Sequence, residues 1–336
     1  MKILLNCHLP FALAHGGWAI QIEQTKAGLE ANGVEVEYLR WWDGQQRGDV
    51  IHFFGRAPAA HIQFAHQKGI KFVMAELLNA PGARSRRQLR VQKIISRTMA
   101  RLAPRSFTAA FNWDSYRLAD AVLANTPWEA HLMNYLFDAP KERIHVLANG
   151  VEETFLNSAK CARGKWLVCT TTITERKRVL ELAAAAVQAQ IPVWIIGKAY
   201  ADTDPYAQKF FALARQHPQF VRYEGPIYDR ARIAQIYREA RGFVLLSAME
   251  TRSLSAEEAA ACECPLLLSD LPWARSTFDQ AATYCPVAKS VAVTATALRE
   301  FYAAAPGLSA PPKPPTWTDI GSQLKKIYEG VLSISR

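Results

Sequence analysis

The segment Gly242-Phe-Val-Leu-Leu-Ser-Ala-Met-Glu250-Thr-Arg-Ser-Leu-Ser-Ala-Glu-Glu258-Ala-Ala-Ala-Cys-Glu-Cys-Pro-Leu-Leu-Leu-Ser-Asp270 holds two short apolar runs with an Ala-rich span between them. Residues 243–247, bounded by Gly242, read as a fully buried strand, and Pro265-Leu-Leu-Leu-Ser269 reads as a second. Ser255-Ala-Glu-Glu258 has the pattern of a capping box, which predicts a helix start with Glu258 in its first turn. Strand, helix and parallel strand make a βαβ unit, and the helix N-terminus then lies at the carboxyl edge of the sheet. Free amides at such a helix start favour an anion. Glu250 ends the incoming strand, so both carboxylates are expected to face one crevice. The plain alternative is a capping glutamate and a solvated loop acid.

Outward from this unit, 336 residues exceed the usual single core, and two domains are expected. Half the residues are hydrophobic and 21% are charged, an ordinary globular balance. Six cysteines (Cys7, Cys161, Cys169, Cys262, Cys264, Cys285) show no paired Cys-x-x-Cys spacing, and Cys262 and Cys264, one residue apart at a helix end, read as small buried hydrophobes. No run of 18 apolar residues and no signal pattern occurs, and a reduced, cytoplasmic setting is expected.

In the first half, a buried strand is expected at Lys2–Asn6 and further strands at Val34–Leu39, Val50–Phe54, Ile70–Met74, Val122–Ala124 and Ile144–Leu147, with helices between them. The loop from His8 ends in Gly16-Gly17, where missing side chains permit close backbone approach to a phosphate or sugar, or simply a tight turn. His52 reads as a core or rim histidine, and Glu76 as a strand-end acid that either binds substrate or is merely exposed. Thr126 before Pro127 suits an N-cap, and Asn149-Gly150 a turn. The pattern breaks around Asn157–Gly164. The predicted domains are 1–157 and 158–310, followed by a Pro-rich linker (306–316) and an amphipathic helix within 316–336.

In the second half, strands are expected at Trp166–Thr170, Val193–Ile196 and Val221–Tyr223, and helices at Glu175–Ala189 and Asp229–Ala240. Lys177 falls at a helix start, which is unfavourable for a cation unless an anion is bound nearby. Asp202-Thr-Asp204 precedes Pro205 and reads as a turn, not as a metal site.

The pair Glu250-x7-Glu258 resembles the Glu-x7-Glu motif of retaining GT-B glycosyltransferases, glycosyltransferase family 4 in particular. The resemblance implies two Rossmann-like doubly wound domains facing a central cleft, an acceptor-side N-terminal domain, a donor domain, and a last helix crossing back to the first domain. It implies retaining, metal-independent transfer from a nucleotide-diphosphate sugar to a glycan or lipid-linked acceptor, with no cofactor. Glu250 would then address the donor sugar and Glu258 the ribose hydroxyls, with Ser253, Leu254 and Ser255 between them. The usual Gly-Phe-Gly after the first Glu is replaced by Thr251-Arg252-Ser253. Lys177 matches the family's phosphate lysine, Thr172 stands where an Arg is usual, and Arg176 or Arg178 is left to compensate. Gly16, Gly17, Thr126 and Asn149 match substrate-side positions, and Glu76 replaces the histidine that many members carry there. Catalytic roles are expected for Glu250 and Glu76. Another GT-B activity, an epimerase or phosphorylase, and a non-catalytic nucleotide-sugar binder are the alternatives. A Rossmann oxidoreductase is disfavoured because no Gly-x-Gly-x-x-Gly follows the first strand.

Residues 81–105 carry eight Lys or Arg and no acid, whereas the net charge of the whole chain is +10. On a helix, Arg86, Arg90, Lys93, Arg97 and Arg101 form one basic stripe, with Val91, Ile94, Ile95, Thr98, Met99 and Leu102 on or beside the other face. This predicts contact with an anionic membrane surface, peripheral on its inner face; the alternative packs the apolar side on the N-terminal domain. Without interleaved aromatics the segment is a poor nucleic-acid binder.

Overall fold

The computed structural model describes residues 1–8, 16–104, 109–157, 161–287 and 290–333. The chain divides into two units. The first comprises Met1–Gly150 and Pro315–Arg336, and the second Val151–Pro314. Each contains a six-stranded parallel sheet.

In the first unit the strands β1 (Lys2–Cys7), β2 (Glu35–Tyr38), β3 (Val50–Phe54), β4 (Lys71–Ala75), β5 (Ala121–Ala124) and β6 (Ile144–Val146) lie in the order β2-β1-β3-β4-β5-β6. The second has β7 (Leu167–Thr170), β8 (Val193–Ile196), β9 (Val221–Tyr223), β10 (Gly242–Leu245), β11 (Leu266–Ser269) and β12 (Thr283–Cys285), ordered β12-β11-β10-β7-β8-β9. Helices cover both faces of parallel sheets, which explains why β5, β8, β10 and β11 are buried along their whole length and read as apolar runs. The expected βαβ unit is present, because β10 and β11 pair in parallel from Phe243–Leu266 to Leu245–Leu268. Strand β12 and the helices Pro272–Phe278 and Val291–Ala304 are additions that the sequence reading did not contain. The loop expected between β1 and Gly16 falls mostly on residues 9–15, outside the described residues.

The last helix, Trp317–Ser333, belongs to the first unit and packs on the helix Gly17–Ala31. Two glycines bring these backbones together. A Cβ on Gly28 would lie 2.2 Å from the Trp317 carbonyl oxygen, and one on Gly321 would lie 2.1 Å from that of Gly28. Tyr328 of the same helix reaches β3, where its hydroxyl is 2.6 Å from Nδ1 of His52. His52 is a core histidine, stacked on Phe54, and burial pulls its pKa down to about 3.

One predicted helix is broken. Residues 175–189 split into a 3₁₀ turn, Glu175–Lys177, and a helix, Val179–Ala189, with Arg178 left-handed between them (φ 53°). The cause is a tie to the loop after β10: the Ala248 N–H donates to the Arg176 carbonyl at 2.8 Å, which draws that turn off the helix axis.

Candidate functional site

In the second unit the strand order reverses at β7, which has β10 on one side and β8 on the other. Loops after β7 and β10 therefore flank the topological switch point, where open parallel sheets hold their ligands. The β7 loop is kept tight by Gly197 at the end of β8 (φ 150°), where any Cβ would lie 1.8 Å from the Thr171 carbonyl oxygen. Beyond it, Thr172 is half-buried and the 3₁₀ turn presents Arg176 and Lys177.

Both cations converge on Glu250. The Lys177 ammonium donates to Glu250 Oε1, and an Arg176 guanidinium nitrogen lies 3.2 Å from the same oxygen. Arg176 also donates to the Met249 carbonyl at 3.0 Å, so it holds the loop as well as the carboxylate. Glu250 is buried, and burying a carboxylate without such partners is costly. Two cations facing one carboxylate leave an excess of positive charge at the carboxyl edge of the sheet.

The helix after this loop runs from Leu254 to Ala261 and is capped by Ser253, whose hydroxyl accepts from the Ala256 N–H at 3.3 Å. This corrects the expected capping box. Ser255 is the second helical residue, its hydroxyl lies 3.2 Å from that of Ser253, and Glu258 sits past the first turn. The chain enters the helix two residues early because Arg252 is anchored to the buried Glu257, its Nε donating at 2.6 Å. Burial pushes the Glu257 carboxyl up, and Arg252 offsets part of the rise. Arg178, expected beside the phosphates, is buried.

Glu258 is buried and pairs with Arg230, which also donates to Glu152 at 2.8 Å and lies 4.7 Å over the Phe155 ring. Burial raises the Glu258 carboxyl above its ordinary value, and the Arg230 charge opposes that rise. Asp204 belongs elsewhere: it caps the helix Pro205–Gln216 by accepting from Tyr206 and Ala207.

In the first unit, Glu76 follows β4 and is held by Arg56, whose Nε donates at 2.9 Å, and by the Tyr116 hydroxyl. Arg56 stacks over the Tyr116 and Phe137 rings at 5.1 and 4.5 Å. Thr126 caps the helix Pro127–Phe137 by accepting from the Glu129 N–H at 3.1 Å, and it is buried. Asn149 is buried too and accepts from the Gln21 amide at 2.9 Å. Gly16 precedes the helix that begins at Gly17, with φ 108°.

No protein-family model and no curated protein sequence matches the chain. Solved structures do match. A sucrose-phosphate synthase from Thermosynechococcus elongatus superposes with a TM-score of 0.69 at 15% identity, over 99% of this chain and 100% of that one. HepE of Anabaena, solved with UDP and glucose, gives 0.65 at 14% identity, over 98% and 100%. A glycosyltransferase from Rickettsia africae gives 0.64 at 11% identity, over 98% of both. At such identities the likeness carries the architecture. The fold is GT-B.

Within the GT-B frame, the sequence placed Lys177, Glu250 and Glu258 in one unit, and the structure joins Lys177 to Glu250 through an ion pair. Glu258 forms a separate pair with Arg230. Arg230, Glu152, Arg56 and Tyr116 were not foreseen. Arg230 carried a usable signal: it is a cation in the first turn of the helix Arg230–Glu239, where only an acid nearby makes it favourable, the argument that the sequence also offers for Lys177. Arg56 and Tyr116 meet Glu76 from 20 and 40 residues away, and nothing local announces them.

Proposed function

We propose that this chain transfers a hexosyl group from a nucleotide-diphosphate sugar to a glycan or lipid-linked acceptor, with retention at the anomeric carbon and without a metal ion. The observation that carries this reading is the convergence of Lys177 and Arg176 on Glu250 at the switch point of the second unit. In this reading the donor diphosphate takes the two cations, with Arg176 in place of the cation missing at Thr172. The Glu250 carboxylate, released from Lys177, then accepts hydroxyls of the transferred sugar. Positive charge held in a buried site stabilises the leaving diphosphate as the glycosidic bond breaks. Glu258 is assigned to the ribose, with Arg178, Arg252, Ser253, Leu254 and Ser255 shaping the surrounding loop. On the acceptor side, Glu76 is the proposed catalytic acid, and Gly16, Gly17, Thr126 and Asn149 frame the substrate. HepE, which shares the fold, was solved with UDP and glucose, and this supports the choice of donor class. The acceptor-side role is proposed for the first unit and the donor role for the second, which begins at Val151, seven residues before the expected border at 157–158. An anionic membrane surface, on the cytoplasmic side, is the proposed setting.

The test is a panel of nucleotide sugars. Thermal stabilisation identifies the donor, and product formation with and without glycan or lipid acceptors follows. Turnover that needs an acceptor and keeps the anomeric configuration supports the proposal. Epimerised donor without acceptor points to an epimerase, phosphate-dependent release of a sugar phosphate to a phosphorylase, and stabilisation without turnover to a binding protein.

A further inference from the structure

The helix Arg86–Leu102 buries Leu89 against the first unit and turns Val91, Ile94, Ile95 and Leu102 away from it. Its N-terminus is fixed by a capping box in which Ser85 accepts from the Gln88 N–H and the Gln88 side chain accepts from the Ser85 N–H. Leu89 and Ser96 are its buried residues. Beside them Lys93 lies 3.7 Å over the Tyr135 ring, and on the flank Arg97 pairs with Asp138 while staying exposed. Val91 is 55% exposed, Ile94 66%, Ile95 53% and Leu102 81%, and Thr98 is exposed between them. This face is therefore not packed on the first unit, the alternative that its sequence allows. Of the expected basic stripe, Lys93 is half-buried over Tyr135, Arg97 is exposed but paired with Asp138, and Arg86, Arg90 and Arg101 are exposed. Arg87, outside the expected stripe, is exposed in the middle of the outward face.

At about 100° per residue, the exposed aliphatic residues cover a sector of about 100°, and Arg86, Arg90 and Arg101 border it along one side. An aliphatic sector edged by cations, on a helix otherwise poor in apolar residues, is the composition of an element that lies in a membrane interface. A second copy is a worse occupant. Its own acid-free stripe would be brought against this one, and like charges oppose that. We infer that this helix lies in the headgroup region of an anionic bilayer, with Val91, Ile94, Ile95 and Leu102 inserted among the acyl chains and Arg86, Arg87, Arg90 and Arg101 at the lipid phosphates. The inference rests on and deepens the membrane setting proposed above, specifying insertion of this helix rather than surface contact alone; it is independent of the donor chemistry.

The experiment uses the whole protein, without donor or acceptor, on vesicles of phosphatidylcholine alone or mixed with phosphatidylglycerol. Binding is expected on the mixed vesicles, with hydrogen-exchange protection centred on residues 86–102, and part of it persists at high salt. Arg86→Gln/Arg90→Gln/Arg101→Gln weakens it by about fivefold per charge at low salt. Val91→Ser/Ile94→Ser/Ile95→Ser weakens it by at least about tenfold and leaves none at high salt. Because these three side chains face solvent, that variant melts at the wild-type temperature. Wild-type binding by the serine variant overturns insertion, as does a lowered melting temperature, since the face would then be packed against protein. Equal binding to both vesicle types, or to neither, overturns the anionic bilayer. Protection that grows with protein concentration in the absence of lipid assigns the face to a second copy instead. Failure of the transferase assay leaves all of these outcomes unchanged.

Discussion

Glu250 is buried against two cations, and the direction of its pairing decides what a substitution there would report. Lys177→Ala removes a charge-assisted contact of about 1.5–3 kcal/mol to a bound diphosphate. A nucleoside diphosphate is then expected to bind about tenfold to a hundredfold more weakly in titration calorimetry, while the free nucleoside binds as before. Equal losses for both ligands would remove Lys177 from the phosphate site. Arg230 makes a second case. Arg230→Ala leaves the buried Glu258 without its cation, at an expected cost of about 1.5–3 kcal/mol in denaturant unfolding. Adding Glu258→Gln is expected to return part of that stability, and a strictly additive double variant would show that the pair is not coupled. Lys177, Glu250 and Glu258 were readable because each is fixed by its distance from a buried strand or a helix start. Arg230 and Glu152 lie 28 and 106 residues from Glu258, and pairs of that kind are made by tertiary packing alone.

Helix and strand ends followed local chemistry closely where one signal dominated. Strands β3, β8 and β9, the helix Trp317–Ser333 and the Thr126 cap all lie where apolar runs, periodicity and the Thr-Pro pair put them. The misreadings came where tertiary ties compete with local preference. The Ala248–Arg176 hydrogen bond broke the helix after β7, and the Arg252–Glu257 pair moved the cap from Ser255 to Ser253. The shifted cap is testable. Ser253→Ala is expected to lower stability by about 1 kcal/mol, and Ser255→Ala by much less, in parallel denaturant titrations. A larger loss at Ser255 would restore the original capping box.

Across the molecule, two buried groups in the first unit pull stability in opposite directions with pH. His52 has its pKa lowered from 6.5 to about 3, so its contribution is present above 6.5 and is lost as pH falls. Glu129, buried beneath the amides of Leu78 and Asn125, is raised by burial from 4.5 to about 7. Its contribution is present below 4.5 and is lost as pH rises to 7. Each slope is at most about 1.4 kcal/mol per pH unit, so between 4.5 and 6.5 the two nearly cancel. Replacing His52 and its partner together, His52→Phe/Tyr328→Phe, leaves Glu129 unopposed. The variant should gain stability relative to wild type on acidification through that window, measured as melting temperatures; parallel profiles would mean that His52 is not held neutral. The same pairing of β3 with the last helix has a consequence in time. The first unit needs Pro315–Arg336, but about 160 residues of the second are synthesised first. At about 5–20 residues per second, the nascent chain waits roughly 8–30 s with Gly28 uncovered and His52 without Tyr328. During translation the second unit can therefore complete itself before the first, and a ribosome that stalls short of Trp317 releases a chain whose earliest-made half is the unfinished one.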